Sequence, residues 1–411
     1  MIRLLHFADF HLGMENYGRT DPNYGMSTRI RDFLKRMDEM VEYAKDHSAD
    51  LVVFAGDAFK NRAPNPTLQR EFAHRVRDLT AHCPVVMLVG NHDLAATESR
   101  AHSLEIYDAL GVPGVLIGSN YDLYEISTRS GTALVGTAPY PIKSRLVSDE
   151  AAHGKSLEET DHLLAEAMHR VLETLSERAA TSEPSDAPRV LVGHFSVTGA
   201  NFGSERDVMI GRDVVVPLSA LDDPAWDYVA LGHIHKHQNL TAGRRGSTPV
   251  VYSGSLERVD FGEENEDKGF CWVEVSRGQA NWQFVPVNSR PFITLSIDVR
   301  EVGDPMQKIH AALHRAEVAD AIVRVYLKAE PEQEAYIETR DIYGILHSKG
   351  AHVVAAVKKE VNRLERTRLG DQPESLTPTQ LLERYFQARG VSSDRIKALL
   401  ERAKPILGEM L

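Results

Sequence analysis

The sequence predicts an α/β protein with a layered core, and three features predict it. Apolar runs of strand length alternate with stretches of helical periodicity through the first part of the chain. Five of those runs end on a carboxylate, an imidazole or an amide. In four of them the polar residue directly follows a glycine: Gly56, Gly90, Gly193 and Gly232.

The elements follow in order. Strand-like runs occupy 3–8, 51–55, 85–89, 190–192 and 228–231. Between the first two, Ile30, Phe33, Leu34, Met37, Met40, Val41 and Ala44 fall on one face of a helix. Leu68, Phe72, Val76 and Leu79 do the same before residue 85. Ser156 and Glu159 form a capping-box pattern ahead of a helix reaching about residue 177. The polar stretch 181–188 carries two prolines and reads as a loop. Runs at 133–136, 248–253 and 270–275 read as further sheet members.

After Pro291 a compact βαβαβ unit is expected, with strands at 292–299, 321–329 and 351–361 and helices near 304–316 and 338–348. Residues 362–376 lack a core face and read as a linker. Thr377, Pro378 and Gln380 then supply an N-cap, an N1 proline and an N3 partner, and Gly390 a stop. A second helix at 393–404 carries Ile396, Leu399, Leu400 and Ala403. Two short amphipathic helices make a poor core alone, so they must dock on the body or on a partner.

Composition bounds the function. The 411 residues are 42% hydrophobic and 26% charged, an ordinary globular balance for two or three domains. The net charge of −12 argues against coating nucleic acid through bulk positive charge, though not against a local patch or bound cations. Cys83 and Cys271 have no metal-ligand spacing and read as buried free thiols of a reducing compartment. The N-terminal stretch carries His6, Asp9 and His11 and does not read as a signal peptide; a cytoplasmic protein is expected. No GxxxxGK[ST] phosphate loop is present.

The strand ends carry the chemistry. They bring Asp9 and His11, Asp57, Asn91 and His92, His194, and finally His233 and His235. Ligands of open α/β sheets bind at the carboxyl ends of strands, so residues distant in sequence should converge on one rim. Oxygen and nitrogen donors without thiolate suit Mn, Fe or Zn. This many donors exceeds what one ion with an open position needs. It suits two ions about 3.5–4 Å apart that share a carboxylate and activate a water for in-line attack at phosphorus. Any one of these histidines alone would more often be an ordinary hydrogen-bonded residue; the coincidence of five strand ends is what weighs. The acidic run 263–267 reads as a solvated turn and not as a further metal site. Trp226, Trp272 and Trp282 read as core residues more than base-stacking platforms.

The series DxH, GD, GNHD, GH and GHxH, in that order, resembles the calcineurin-like metallophosphoesterases. Within them, "HFADFHLG", "GDAF", "GNHD", "LGHIHKHQ" and "YSGSLERVDFGEENEDKGF" resemble the SbcD-type DNA repair nuclease subunits and their archaeal and eukaryotic relatives. The resemblance implies a layered α/β/β/α metallophosphoesterase sandwich at 1–288 and a small α+β capping domain at 289–361. A linker at 362–376 and a helical partner-binding segment at 377–411 would follow. It implies one ion on Asp9, His11 and His235, a second on Asn91, His194 and His233, and Asp57 bridging. His92 would then face the scissile phosphate and assist the leaving oxygen, and Asp93 would orient that imidazole or cap a following helix.

Lys60, Asn61 and Arg62 would touch DNA phosphates, with a solvated loop as the equal alternative. Some archaeal relatives carry histidine where this chain has Lys60, so any DNA-handling role of that histidine is in doubt here. The implied activity is Mn²⁺-dependent 3′→5′ double-strand exonuclease and single-strand endonuclease action in DNA end processing, in the cytoplasm at the nucleoid. The implied partners are DNA, an SbcC-like SMC-type ATPase gripping the helices at 377–404, and a second copy of the chain meeting it through helices at 66–80 and 93–109. The rivals are a small-molecule or phosphoprotein phosphoesterase and a non-catalytic scaffold.

Overall fold

A computed structural model describes the chain except for residues 23–24, 96–99, 149–152, 204–212, 362–376 and 408–411. The expected linker 362–376 thus lies outside the described residues. The chain folds into two compact units. One comprises Met1–Leu295, Ala312–Val325 and Thr339–Val357; the other comprises Ser296–Ala311, Tyr326–Glu338 and Lys358–Leu411.

The first unit is built on two six-stranded sheets. In one, the order is Gln279–Pro286, Gly269–Ser276, Ile2–Phe7, Leu51–Phe54, Val85–Leu88, Val115–Gly118. The last four strands are mutually parallel and the first two antiparallel. In the other, the order is Gln238–Asn239, Val250–Tyr252, Tyr228–Gly232, Arg189–His194, Gly131–Ala138, Asp122–Thr128. Its four central strands are parallel and both edges antiparallel.

Side-chain alternation explains the layering. Ile2, Leu4, Leu51, Val53, Val86 and Leu88 pack with Val135, Val190, Val192, Tyr228, Ala230 and Val251 between the sheets. The alternate residues Leu5, Phe7, Val52, Phe54, Val85 and Met87 pack outward against helices Thr28–Asp46 and Pro66–Thr80. On the far side, Leu191, Val229, Leu231 and Tyr252 pack against Leu164, Met168, Leu172 and Leu175 of helix Leu157–Thr181. The result is the α/β/β/α sandwich. Strands buried on both faces read as unbroken apolar runs, which is why they were legible.

The helix expected over 93–109 differs. Residues 91–94 form a turn, and the helix spans only Glu105–Ala109, with 96–99 outside the described residues. The turn follows from Asp93, whose side chain is drawn inward by backbone N–H groups and does not cap a helix (below). A third sheet orders Phe292–Asp298, Ile322–Ala329 and Val353–Val361, with helices Pro305–Arg315 and Thr339–Ser348 between them in sequence. In the second unit, helices Pro378–Ala388 and Ser393–Leu407 pack on each other, and Thr377 and Gln380 form the reciprocal capping box. Trp226 and Trp272 are buried in core clusters, and Trp282 packs half-buried against one. Among the described residues, no helix is long and apolar enough to cross a membrane.

Candidate metal centre

The parallel strands of both sheets end at the same rim, and all seven candidate ligands lie at or just past those ends, His194 as the last residue of its strand. The chain must turn there immediately, and it does so in an unusual way. Asp9 (φ 51°), His11 (φ 44°), Asp57 (φ 63°) and His233 (φ 97°) all adopt the left-handed region. Non-glycine residues seldom do so, and held strain of this kind concentrates at functional sites. Gly90 lets the two loops touch: a Cβ there would lie 2.2 Å from Asp57 Oδ1. Gly56 (φ 97°) does the same for His194, whose Nδ1 would be 2.4 Å away from such a Cβ.

The centre has two halves joined by Asp57. In one half, His11 Nε2 and His235 Nε2 face each other at 2.9 Å, and Asp9, His11 and His235 offer ligand atoms all within 4.8 Å. In the other, Asn91 Oδ1 lies 3.0 Å from His194 Nε2 and 3.1 Å from His233 Nδ1. Asp57 Oδ2 stands between them, 3.4 Å from His194 Nε2 and 3.6 Å from His11 Nε2. Its other oxygen accepts from the His92 backbone N–H at 2.8 Å.

The hydrogen bonds behind the rings fix the tautomers. His194 donates Nδ1–H to the Ala55 carbonyl (2.6 Å), His233 donates Nε2–H to Asp213 (2.8 Å), and His235 donates Nδ1–H to Glu263 (2.7 Å). The remaining nitrogens turn toward the Asn91 and Asp57 oxygens and toward one another. Acceptors crowded together in this way need positive charge between them, from protons or from metal, so these donors fit cations. The ionisation pattern agrees. Burial opposes the charge of His194, yet Asp57 and Asp9 carry the imidazole up to about 9. Burial likewise opposes ionisation of Asp57, but His194, His11 and His92 hold its carboxyl far below the usual range.

His92 enters the same space. Its Nδ1–H donates to the Lys60 carbonyl at 2.9 Å, so Nε2 is the free atom. Its ring stands edge-on to His11 at 4.8 Å, and its ligand atom lies within 4.8 Å of those of His11 and Asp57. Asp93 does neither of the things expected of it. Its carboxylate accepts from the backbone N–H of Asp57 (2.8 Å), Gly90 (3.0 Å) and Ala58 (3.0 Å). It staples the two ligand loops together and does not touch the His92 ring. Burial and the charge of Asp57 push its carboxyl up to about 7. In the loop beyond Asp57, Lys60 is half-buried while Asn61 and Arg62 are exposed. Arg62 lines an open cavity of about 680 Å³ that reaches Tyr140 beside the His194 and His233 rings.

Two carboxylates escaped the sequence reading. The solvated turn expected at 263–267 is instead partly buried: Glu263 is 0% exposed, holds His235, and pairs with buried Lys268 at 3.0 Å. The charge run misled because burial of Glu263 depends on a lysine five residues on. Asp213, behind His233, belongs to no motif; only its position before the strand-like "VVVP" marked it.

The calcineurin-like phosphoesterase family model matches residues 2–237 of the chain. The protein of Bacillus subtilis (strain 168) named as the D subunit of nuclease SbcCD is 29% identical over 343 residues, covering 82% of this chain and 78% of its own. Its namesake in Escherichia coli (strain K12) is 26% identical over 397 residues, covering 94% and 92%. A solved dimetal phosphatase from Danio rerio is 13% identical with a TM-score of 0.39, covering 69% of this chain and 98% of its own.

Proposed function

The chain belongs to the calcineurin-like phosphoesterase family, a premise from which we propose that it is a two-metal DNA nuclease acting in end processing and repair. The observation that carries this is the joined pair of donor sets around Asp57, together with the similarity to the SbcCD nuclease relatives over most of the chain. Asp9, His11 and His235 would hold one ion, Asn91, His194 and His233 the other, with Asp57 shared. We assign them Mn²⁺ on the resemblance to the SbcD-type nucleases; the oxygen and imidazole donors by themselves also suit Fe or Zn. Bound there, the ions polarise the phosphodiester and activate its nucleophile.

The remaining roles fall to the protein. His92, held by the Lys60 carbonyl, turns Nε2 toward the scissile phosphate and delivers a proton to the departing 3′ oxygen. Asp93 keeps the Asp57 and Asn91 loops in register. Lys60, Asn61 and Arg62 contact flanking phosphates. We assign the activity as 3′→5′ exonuclease on duplex ends and endonuclease on single strands.

Residues 1–288 form the catalytic domain in this reading, 289–361 the capping domain, and 377–411 the docking segment for an SbcC-like ATPase. The capped helix pair supports the last assignment, with Tyr385 left 37% exposed. A homodimer would meet through helix Pro66–Thr80 and the segment ending at Leu110, where Ile106 and Leu110 are 51% and 72% exposed. Deleting 377–411 should abolish capture of a co-expressed ATPase; unchanged capture refutes that assignment.

The central test is digestion of end-labelled duplex and single strands with Mn²⁺, by wild type and His92→Ala, with metal content measured for both. Lost cleavage with retained metal is expected. Loss of metal makes His92 a ligand, and absence of cleavage by the wild type refutes the nuclease reading.

A further inference from the structure

His233 and His235 stand two residues apart on one turn, yet they turn opposite nitrogens toward the metal centre. His235 gives Nδ1–H to Glu263 and presents Nε2; His233 gives Nε2–H to Asp213 and presents Nδ1. Each ring is therefore set by a carboxylate from elsewhere in the chain, Glu263 buried and Asp213 half-buried. A carboxylate in this position fixes the ring and raises the donor strength of its far nitrogen.

The two carboxylates differ in what surrounds them. Glu263 sits in a buried ion pair with Lys268 (3.0 Å). Lys268 also reaches Glu266 (2.9 Å) and donates to the His235 carbonyl (3.1 Å). Lys268 is shared between the two glutamates, so it offsets part of the charge of Glu263. Among the described residues, Asp213 meets only neutral donors besides His233, namely the Tyr140 hydroxyl (3.0 Å), the Ser196 hydroxyl and the Val214 N–H (2.9 Å), and no lysine or arginine pairs with it. Its negative charge faces the centre through His233.

That difference mirrors the ligands in front. The His235 half includes the carboxylate of Asp9 beside His11, although that carboxylate also comes within 4.8 Å of the His194 and Asp57 ligand atoms. The His233 half has the neutral amide of Asn91, two imidazoles and only a share of Asp57. Unequal ligand charge would leave the second cation poorly neutralised among largely buried ligands, where the lowered local dielectric makes that shortfall costly. We propose that Asp213 is a positioning residue for the Asn91-side ion, supplying through His233 the negative charge that Asn91 lacks, so that its neutralisation selectively weakens that one site. The proposal rests on the two-ion reading above.

Asp213→Asn is the test, because the amide still accepts from His233 but carries no charge. The metal-free full-length protein is titrated with Mn²⁺, and the ions retained after gel filtration are counted by mass spectrometry of the metal. Wild type retains two per chain. Asp213→Asn is expected to retain one, with the weaker constant raised about 10–100-fold and the tighter one changed less than about threefold. Tyr140→Phe removes a neutral donor from the same carboxylate but leaves its charge, and should retain two ions. If the network were merely structural, Tyr140→Phe and Asp213→Asn would weaken binding alike, which overturns the proposal. Two ions on Asp213→Asn with wild-type constants, or equal weakening of both sites, also overturn it. Should Asp213→Asn fail to fold, Asp213→Glu keeps the charge and must retain two ions, and loss of one from that variant counts against charge as the cause. A wild type that binds fewer than two ions refutes the two-ion reading itself.

Discussion

Asp93 offers the sharpest perturbation of the site without removing any ligand. Its carboxylate is 0% exposed and accepts three backbone N–H bonds, from Asp57 at 2.8 Å and from Gly90 and Ala58 at 3.0 Å. At pH 8, above the value of about 7 to which burial and Asp57 raise it, the group is ionised. Hydrogen bonds to a charged acceptor contribute about 1.5–3 kcal/mol each, while a carboxyl raised this far also costs the fold stability when ionised. Asp93→Ala strands three donors where water does not reach and at the same time relieves that charge. Allowing for the offset and for non-additivity among neighbours, we expect a loss of about 2–4 kcal/mol. Asp93→Asn separates the two effects, because it relieves the charge but keeps most of the bonds.

One carboxylate oxygen serves both Asp57 and Gly90, and the other serves Ala58. The better amide orientation therefore keeps two bonds and sets an NH₂ against the Ala58 N–H. One lost bond plus a donor–donor contact costs about 2–3 kcal/mol, most of which the removal of the disfavoured charge offsets at pH 8, so the net loss should be clearly smaller than for Asp93→Ala. The assay is urea unfolding of metal-free protein at pH 8, with the slope unchanged so that the midpoint reports stability. A loss for Asp93→Asn as large as that for Asp93→Ala, or no loss for Asp93→Ala, would refute the staple. Because Asp57 holds φ 63° on one of those bonds, both variants should also bind Mn²⁺ more weakly.

Gly90→Ala should abolish metal binding or folding, since its Cβ would lie 2.2 Å from Asp57 Oδ1 and 2.6 Å from the Asp57 nitrogen; wild-type metal content would contradict the geometry. Burial opposes ionisation of Asp32, but its bonds to Arg290 and Arg29 hold the carboxyl below the ordinary range. A depressed carboxylate contributes stability above its unfolded value, about 4, that is lost as pH falls through the folded value. The stability gap between wild type and Asp32→Asn should accordingly be full at pH 7 and shrink below about pH 4, as chemical unfolding at several pH values can show. Cys83 and Cys271 are buried, and burial pushes their thiols up to about 11 and 12. Ellman's reagent at pH 7.5 should find no fast-reacting thiol in the native protein and two after unfolding; rapid native reaction would count against this burial.

Much of the candidate site was legible because its candidate ligands follow apolar runs. A strand buried on both faces reads as an unbroken hydrophobic stretch, and a polar residue at its end then stands out. Asp9, His11, Asp57, Asn91, His194, His233 and His235 all stand out this way. Asp213 and Glu263 do not, because a supporting carboxylate needs no particular neighbour in sequence, only the right place in space. Asp93 is visible in the sequence but suggests the wrong work: nearness to His92 in the chain implies contact, whereas the side chain turns inward to Asp57, thirty-six residues earlier. The expected helix from 93 fails for the same reason, since that inward turn takes Asp93 away from any capping position.

The sequence by itself determined the layered α/β architecture, the strand ends and the identity of the donor atoms, because burial periodicity and residue chemistry are local properties written along the chain. The tertiary structure decided how those donors divide into two halves about Asp57 Oδ2, and which nitrogen each imidazole presents. Those depend on groups brought together across as many as 224 positions, as His11 and His235 are, by the pairing of strands and the facing of two sheets. No pattern of neighbours encodes such a distance. It is set only when both sheets close on a common core.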